Sequence, residues 1–132
     1  MIDAGHSQRI NYAKNAYTNT KVNTASPVDL VIMLYDGAID SLNRTSFCMS
    51  RKDYSRKAEY VSRATNIIGE LASSLNMEAG KDVARNLRDL YFYMMSTIAR
   101  ANRENDIEKI NHVADLLKNI RSAWQQIRQG AP

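Results

Sequence analysis

The stretch Asn23-Thr-Ala-Ser-Pro-Val-Asp-Leu-Val-Ile-Met-Leu-Tyr-Asp-Gly-Ala-Ile39 decides the fold. Ser26 suits a helix cap, Pro27 the first helical position, and Asp29 stands three residues after the cap. Leu30 to Tyr35 then run apolar or aromatic without a break. A helix packed on one side needs only a stripe, so this run predicts burial on more than one side. Residues ~100° apart around the axis put Val31, Tyr35, Ala38, Ile39 and Leu42 on one face. Leu30, Leu34, Gly37 and Ser41 make an adjoining face, and Asp29, Asp36, Asp40 and Asn43 fill a polar wedge opposite. The helix therefore lies at the centre of a bundle or lends one side to a partner.

Outward from it, the chain reads as further helices. Residues 1–25 are polar with isolated apolar residues; Ile10, Ala13 and Tyr17 stand at helical spacing, with Tyr12 and Val22 beside them. We expect a flexible N-terminal segment whose apolar part folds back as a cover. The first helix is predicted from Pro27 to about Met49, followed by a break over Ser50 to Asp53. The second, about Tyr54 to Leu75, carries Tyr54, Val61, Ile68 and Leu75 at every seventh position, with Ala58, Ala64, Thr65 and Leu71 between them. Arg51, Lys52, Arg56 and Lys57 read as its solvated face. A connection from Asn76 to Lys81 contains Gly80, and Asp82 starts a third helix with Val83, Leu87, Leu90, Met94, Ile98 and Ala101 inward. Asn105, with Glu108 three residues on, is predicted to cap the fourth. Its inner stripe is Ile110, Val113, Ala114, Leu117, Ile120, Trp124 and Ile127. The prediction is an all-α, antiparallel four-helix bundle over residues 26–128, an N-terminal extension packed on it, and a frayed tail over 129–132.

Composition bounds the function. A chain of 132 residues suits one domain with one sizeable core. A single cysteine, Cys48, excludes an internal disulfide and fits a reducing compartment. No apolar run approaches the ~18 residues of a membrane span, and the N-terminus has no apolar signal core, so a cytoplasmic protein is expected. Asn43-Arg44-Thr45 matches a glycosylation acceptor, which carries no weight without a secretion signal. The net charge of +4 is spread among acidic residues and reads as a solvated surface.

Catalytic equipment is absent. A di-iron bundle needs several inward Glu residues and Glu-x-x-His motifs, whereas the two histidines are His6, near the N-terminus, and His112, four residues after Glu108. No Gly-rich phosphate loop, nucleophile elbow or paired Cys motif occurs. Cys48 has no activating partner nearby in sequence and reads as structural, and Asp36 and Asp40 as solvated. We expect no enzyme, no metal and no cofactor.

What remains is surplus apolar surface in two places. Leu30, Met33, Leu34 and Gly37 form one, with Ile10, Tyr12 and Tyr17 as its cover; Tyr91, Phe92, Tyr93 and Met95 form the other. Either bundle neighbours bury this surface, or it is a groove for amphipathic helices of another protein, helped by Met adaptability. Residues alone leave both open.

Asn23-Thr-Ala-Ser-Pro-Val-Asp-Leu30 and Met33-Leu-Tyr-Asp-Gly-Ala-Ile39 resemble the signature of the flagellar secretion chaperones, the FliS family. The resemblance continues through Ala64-Thr-Asn-Ile-Ile-Gly-Glu-Leu71, Asn86-Leu, Leu90-Tyr-Phe-Tyr-Met94, Ala101-Asn102, Asn105-Asp106 and Ala123-Trp124. It implies a cytoplasmic helical bundle that binds the C-terminal helical region of flagellin and prevents premature polymerisation. It also implies delivery to the flagellar type III export gate, including FlhA, without cofactor or catalysis, and an N-terminal segment that yields to flagellin. Membrane insertion and nucleic acid are not expected; weak self-association is compatible with this reading. The runner-up is a helical-bundle adaptor for another flagellar or secretion protein, or for an anti-sigma factor. A nucleic-acid binder would show steep salt dependence.

Overall fold

The computed structural model describes residues 26–130, and the elements below are those of that span. Ser26 caps α1 (Pro27–Ser50). The Asp29 N–H donates to Ser26 Oγ at 3.2 Å and the Ser26 N–H donates to Asp29 Oδ2 at 3.4 Å, a reciprocal capping box with proline behind it. A tight turn with Lys52 at φ 57° leads to α2 (Tyr54–Ser73), whose N-terminus Asp53 caps through the Arg56 N–H. Asn76 likewise caps α3 (Met77–Glu104) through the Ala79 N–H. After one turn α3 kinks at Lys81 (φ 47°, ψ −123°), so its main run starts at Asp82, where the sequence places it. The four residues before the kink are helical rather than a connection.

The α3–α4 junction differs from expectation. Asn105 is the left-handed cap that ends α3, with φ 53° and ψ 45°, and its N–H donates to Ala101 O. Asparagine tolerates that conformation better than other side chains except glycine. Asp106 does the capping of α4 (Ile107–Gly130), accepting from the Lys109 N–H at 3.2 Å. α4 continues through Gly130, past the predicted bundle limit at residue 128.

The helices form an antiparallel four-helix bundle in which α1 and α3 each pack against both α2 and α4. No strand occurs among the described residues. Across the diagonal, the hydroxyls of Tyr35 and Tyr91 hydrogen-bond each other in the centre of the core. Around them lie Leu42, Ile68, Met94, Ile98, Ile110, Val113 and Leu117, all closed to solvent. Each such side chain stabilises the fold by ~1.5–3 kcal/mol relative to leaving it in water. Buried Ser41 and Thr45 cost little, because each hydroxyl donates to the carbonyl four residues back, at 2.8 Å.

Two predicted stripes hold only in part: Met94, Ile98 and Ala101 on α3 and Ala64, Ile68 and Leu71 on α2 are buried as expected, and others are not. On α3 the inward set is Ala84, Tyr91, Met94, Ile98 and Ala101, while Val83 is 59% exposed. Tyr91 belongs to this core and not to a surface patch, since only there does its hydroxyl meet Tyr35. On α2 the inner set is Lys57, Ala64, Ile68 and Leu71; Tyr54 is exposed and Val61 half-buried. Lys57, expected on a solvated face, is buried. Its Nζ donates to Asn102 O at 3.0 Å and to Asn105 Oδ1 at 2.8 Å. A lysine there answers the partial negative charge of the α3 C-terminus and has two of its three donors bonded.

Candidate functional site

α4 turns one flank to α1 and the other to α3. On the α1 flank, Arg128 pairs with Asp29 at 3.1 Å, Arg121 forks onto Asp36, and the Ser46 hydroxyl donates to Asn111 Oδ1 at 2.7 Å. Seven residues from Asp29 to Asp36 match seven from Arg128 back to Arg121, and ten more to Ser46 match ten more to Asn111. These contacts fix one antiparallel register along most of α1. The Arg128 guanidinium beside Asp29, helped by the Ser26 cap, holds its carboxyl below the usual carboxylate range. Asp36 is therefore a half-buried partner of Arg121 rather than a freely solvated group.

The α3 flank is looser: of the four neighbouring helix pairs, α3 and α4 touch least. The pair is pinned where the Tyr93 hydroxyl meets His112 Nε2 at 3.1 Å, with the two rings edge to face. Around this contact an open cleft of about 450 Å³ is lined by Tyr93, Thr97, Arg100, Lys109 and His112, among others. Lys109 is engaged by Asp106 at 2.7 Å and Glu104 at 3.3 Å. These bonds raise the Lys109 pKa and, through Lys109, lower that of Asp106. Stepping away from Tyr93–His112 in antiparallel register brings Leu90 level with Leu116, Leu87 near Ile120, and Val83 near Ala123. Leu87, Leu90, Leu116 and Ile120 are half-buried against the core, whereas Val83 and Ile127 are more than half exposed. The result is a partly exposed apolar seam with a polar cleft at one end.

The predicted site residues separate accordingly. Leu34 and Gly37 are buried, while Leu30 and Met33 are half-buried. Tyr91 is core. Phe92 and Tyr93 are about half exposed but point ~100° apart around α3, so they do not form one patch. Tyr93 faces α4, and Met95 is half-buried against the core. Ile10, Tyr12 and Tyr17 lie outside the described residues. Of the seam residues, Val83, Leu87, Leu90, Ile120 and Ile127 read as core in the sequence, and Leu116 stands outside the predicted stripe. Their one signal was a surplus: Val83 and Leu90 sit beside Ala84 and Tyr91, making the apolar arc of α3 wider than a bundle needs.

Among the described residues no cluster of three or more His, Cys, Asp or Glu is placed to hold a metal ion, and no helix is long and apolar enough to cross a membrane. Comparison with known proteins supplies what geometry does not. A family model described as flagellar protein FliS matches residues 9–131. The flagellar secretion chaperone FliS of Salmonella typhimurium is 42% identical over 107 residues, covering 80% of this chain and 79% of its own. That of Vibrio cholerae is 37% identical over 114 residues, 86% of this chain and 84% of its own. The Bacillus subtilis protein of the same name is 32% identical over 114 residues, with the same coverage. With a match along nearly its whole length, the chain belongs to the FliS family of flagellar secretion chaperones, which are not enzymes.

Proposed function

We propose that this protein binds the C-terminal helical region of newly made flagellin in the cytoplasm. It thereby prevents premature polymerisation and helps bring flagellin to the FlhA component of the type III export gate. The match to secretion chaperones over residues 9–131 carries this reading. The seam between α3 and α4 is the surface we assign to the substrate. From Thr97 to Val83 it runs about 20 Å at 1.5 Å per residue, room for several turns of an amphipathic helix. A helix of that kind presents apolar residues at i, i+3, i+4 and i+7, which match a long seam better than a compact pocket. A segment that orders only on binding loses conformational entropy, and extended apolar burial must offset that loss.

Leu30 and Met33 on α1 remain candidates for a second contact, because both keep some exposure. Ile10, Tyr12 and Tyr17 keep their proposed role as a cover displaced by flagellin. Gly37→Leu is no clean test of binding, since Gly37 is buried and a leucine there disturbs the bundle.

Val83 and Ile127 are exposed enough to change without unfolding the chain. Titration calorimetry with a flagellin C-terminal fragment should show the Val83→Glu/Ile127→Glu variant binding at least ten-fold more weakly, with unchanged helical circular dichroism. Equal affinity for both proteins would remove the α3–α4 seam from the account. No binding by the wild-type chain would remove flagellin.

A further inference from the structure

The basic residues are not evenly spread. Residues 44–63 contain Arg44, Arg51, Lys52, Arg56, Lys57 and Arg63 against Asp53 and Glu59, a net of +4. That equals the net charge of the whole chain, so the other 112 residues are balanced. The fold gathers this segment at one corner of the bundle, where α1 ends and α2 begins. Among the described residues Lys57 is consumed by the end of α3, and Arg44 pairs with Asp40 at 2.9 Å.

Aromatic side chains underlie three of the arginines. The Arg44 and Arg63 guanidiniums lie 5.7 and 6.0 Å from the centre of the Tyr60 ring, and that of Arg51 lies 5.1 Å from Phe47. A guanidinium stacked on a ring is ordered in advance and keeps its N–H edge available for a carboxylate. Arg51 and Arg63 have no carboxylate partner among the described residues, and Arg56 only a long contact of 3.8 Å to Asp53. Between Arg44, Phe47, Arg51, Arg56 and Tyr60 opens a cavity of about 180 Å³, room for a single side chain. Phe47, at its rim, is 60% exposed. A buried anchor ringed by charge is the usual form of a small protein-binding spot.

We infer that this corner docks an acidic segment of a partner protein, with Arg51 and Arg56 taking carboxylates and one apolar side chain entering beside Phe47. Nucleic acid fits less well. Single-stranded binding relies on bases stacking on aromatic faces, and here guanidiniums already engage Phe47 and Tyr60. The corner is built by α1 and α2, apart from the α3–α4 seam, so the inference does not rest on the flagellin reading.

Fluorescence anisotropy on the full chain tests it, using a labelled peptide of repeating Glu and Leu and the same peptide with Lys for Glu. A single-stranded oligouridylate and phosphatidylglycerol vesicles complete the probes. The acidic peptide should bind at least ten-fold more tightly than every other probe. Phe47→Ser and the Arg51→Glu/Arg56→Glu variant should each weaken it at least ten-fold. The Arg85→Glu/Lys118→Glu variant, with the same change in charge elsewhere on the surface, should leave it within two-fold. Three results overturn the inference: equal loss in that control, no loss in Phe47→Ser, or tighter binding of oligouridylate or vesicles.

Discussion

Along α4, the flank turned to α1 is closed by directional polar pairs, while the flank turned to α3 carries half-buried leucines and isoleucine that no pair seals. Asp29–Arg128, Asp36–Arg121 and Ser46–Asn111 admit one register only, because a one-turn slip would part all three. On the other flank Tyr93–His112 and Glu104–Lys109 hold only the end nearest the α3–α4 turn, and the seam beyond Tyr93 is apolar and partly exposed. One seam specifies the bundle, which leaves the other available to a partner without loss of a unique fold. Polar groups give register and apolar ones give area; the molecule assigns these tasks to opposite sides of one helix.

The contrast is sharpest between neighbouring tyrosines on α3. Tyr91 is core and Tyr93 is at the α3–α4 seam, so their alanine variants should part widely. Tyr91→Ala should cost about 3–5 kcal/mol in urea unfolding, and Tyr93→Ala less than about 1.5 kcal/mol. Similar losses at both positions would erase the distinction between the two regions. Tyr35→Phe should cost about 1–3 kcal/mol by stranding the Tyr91 hydroxyl, and the Tyr35→Phe/Tyr91→Phe pair should recover much of it.

A pH titration probes the same core. Burial raises the pKa of both Tyr35 and Tyr91 above the ordinary 10.0, and for Tyr91 the proximity of Tyr35 adds to it. Groups whose folded pKa is raised contribute stability that is intact below 10 and is lost as pH climbs above it. Stability should therefore fall with alkali above pH 10, and the double phenylalanine variant should fall less steeply. Identical alkaline profiles would show that the tyrosine pair is not the titrating element.

The smallest effect belongs to the polar seam. Asp36→Asn removes a partly exposed pair and should cost only about 0.2–1 kcal/mol. Its larger consequence should be looser register, seen as faster amide exchange in the middle of α1. Exchange unchanged there would mean that packing alone sets the register.

Most of the fold was legible in the sequence because each signal was local. Ser26 caps α1 with Pro27 behind it as read, Asp29 completing a capping box, and seven-residue spacing marks α2 to α4 as amphipathic. Phase was less legible. The true inner face of α3 passes through Tyr91 because of one hydrogen bond to a residue 56 positions away, and hydropathy alone favours Val83 and Leu90. The end of α3 turned on whether Asn105 caps forward or backward, and its left-handed backbone decides for α3. Lys57 misled for the same reason: an exposed and a buried lysine look alike until the helix end that accepts its proton donors is in place. The surface proposed for the substrate was least legible, since a leucine half-covered by its own bundle has the same spacing as one fully covered.

Amide chemical-shift mapping on the isotope-labelled chain, titrated with a flagellin C-terminal fragment, tests the division of the two seams most directly. Shifts should concentrate at Val83, Leu87, Leu90, Leu116 and Ile120, with Asp36, Ser46 and Arg121 nearly still. Shifts concentrated along the α1–α4 seam, with α3 unmoved, would contradict that division.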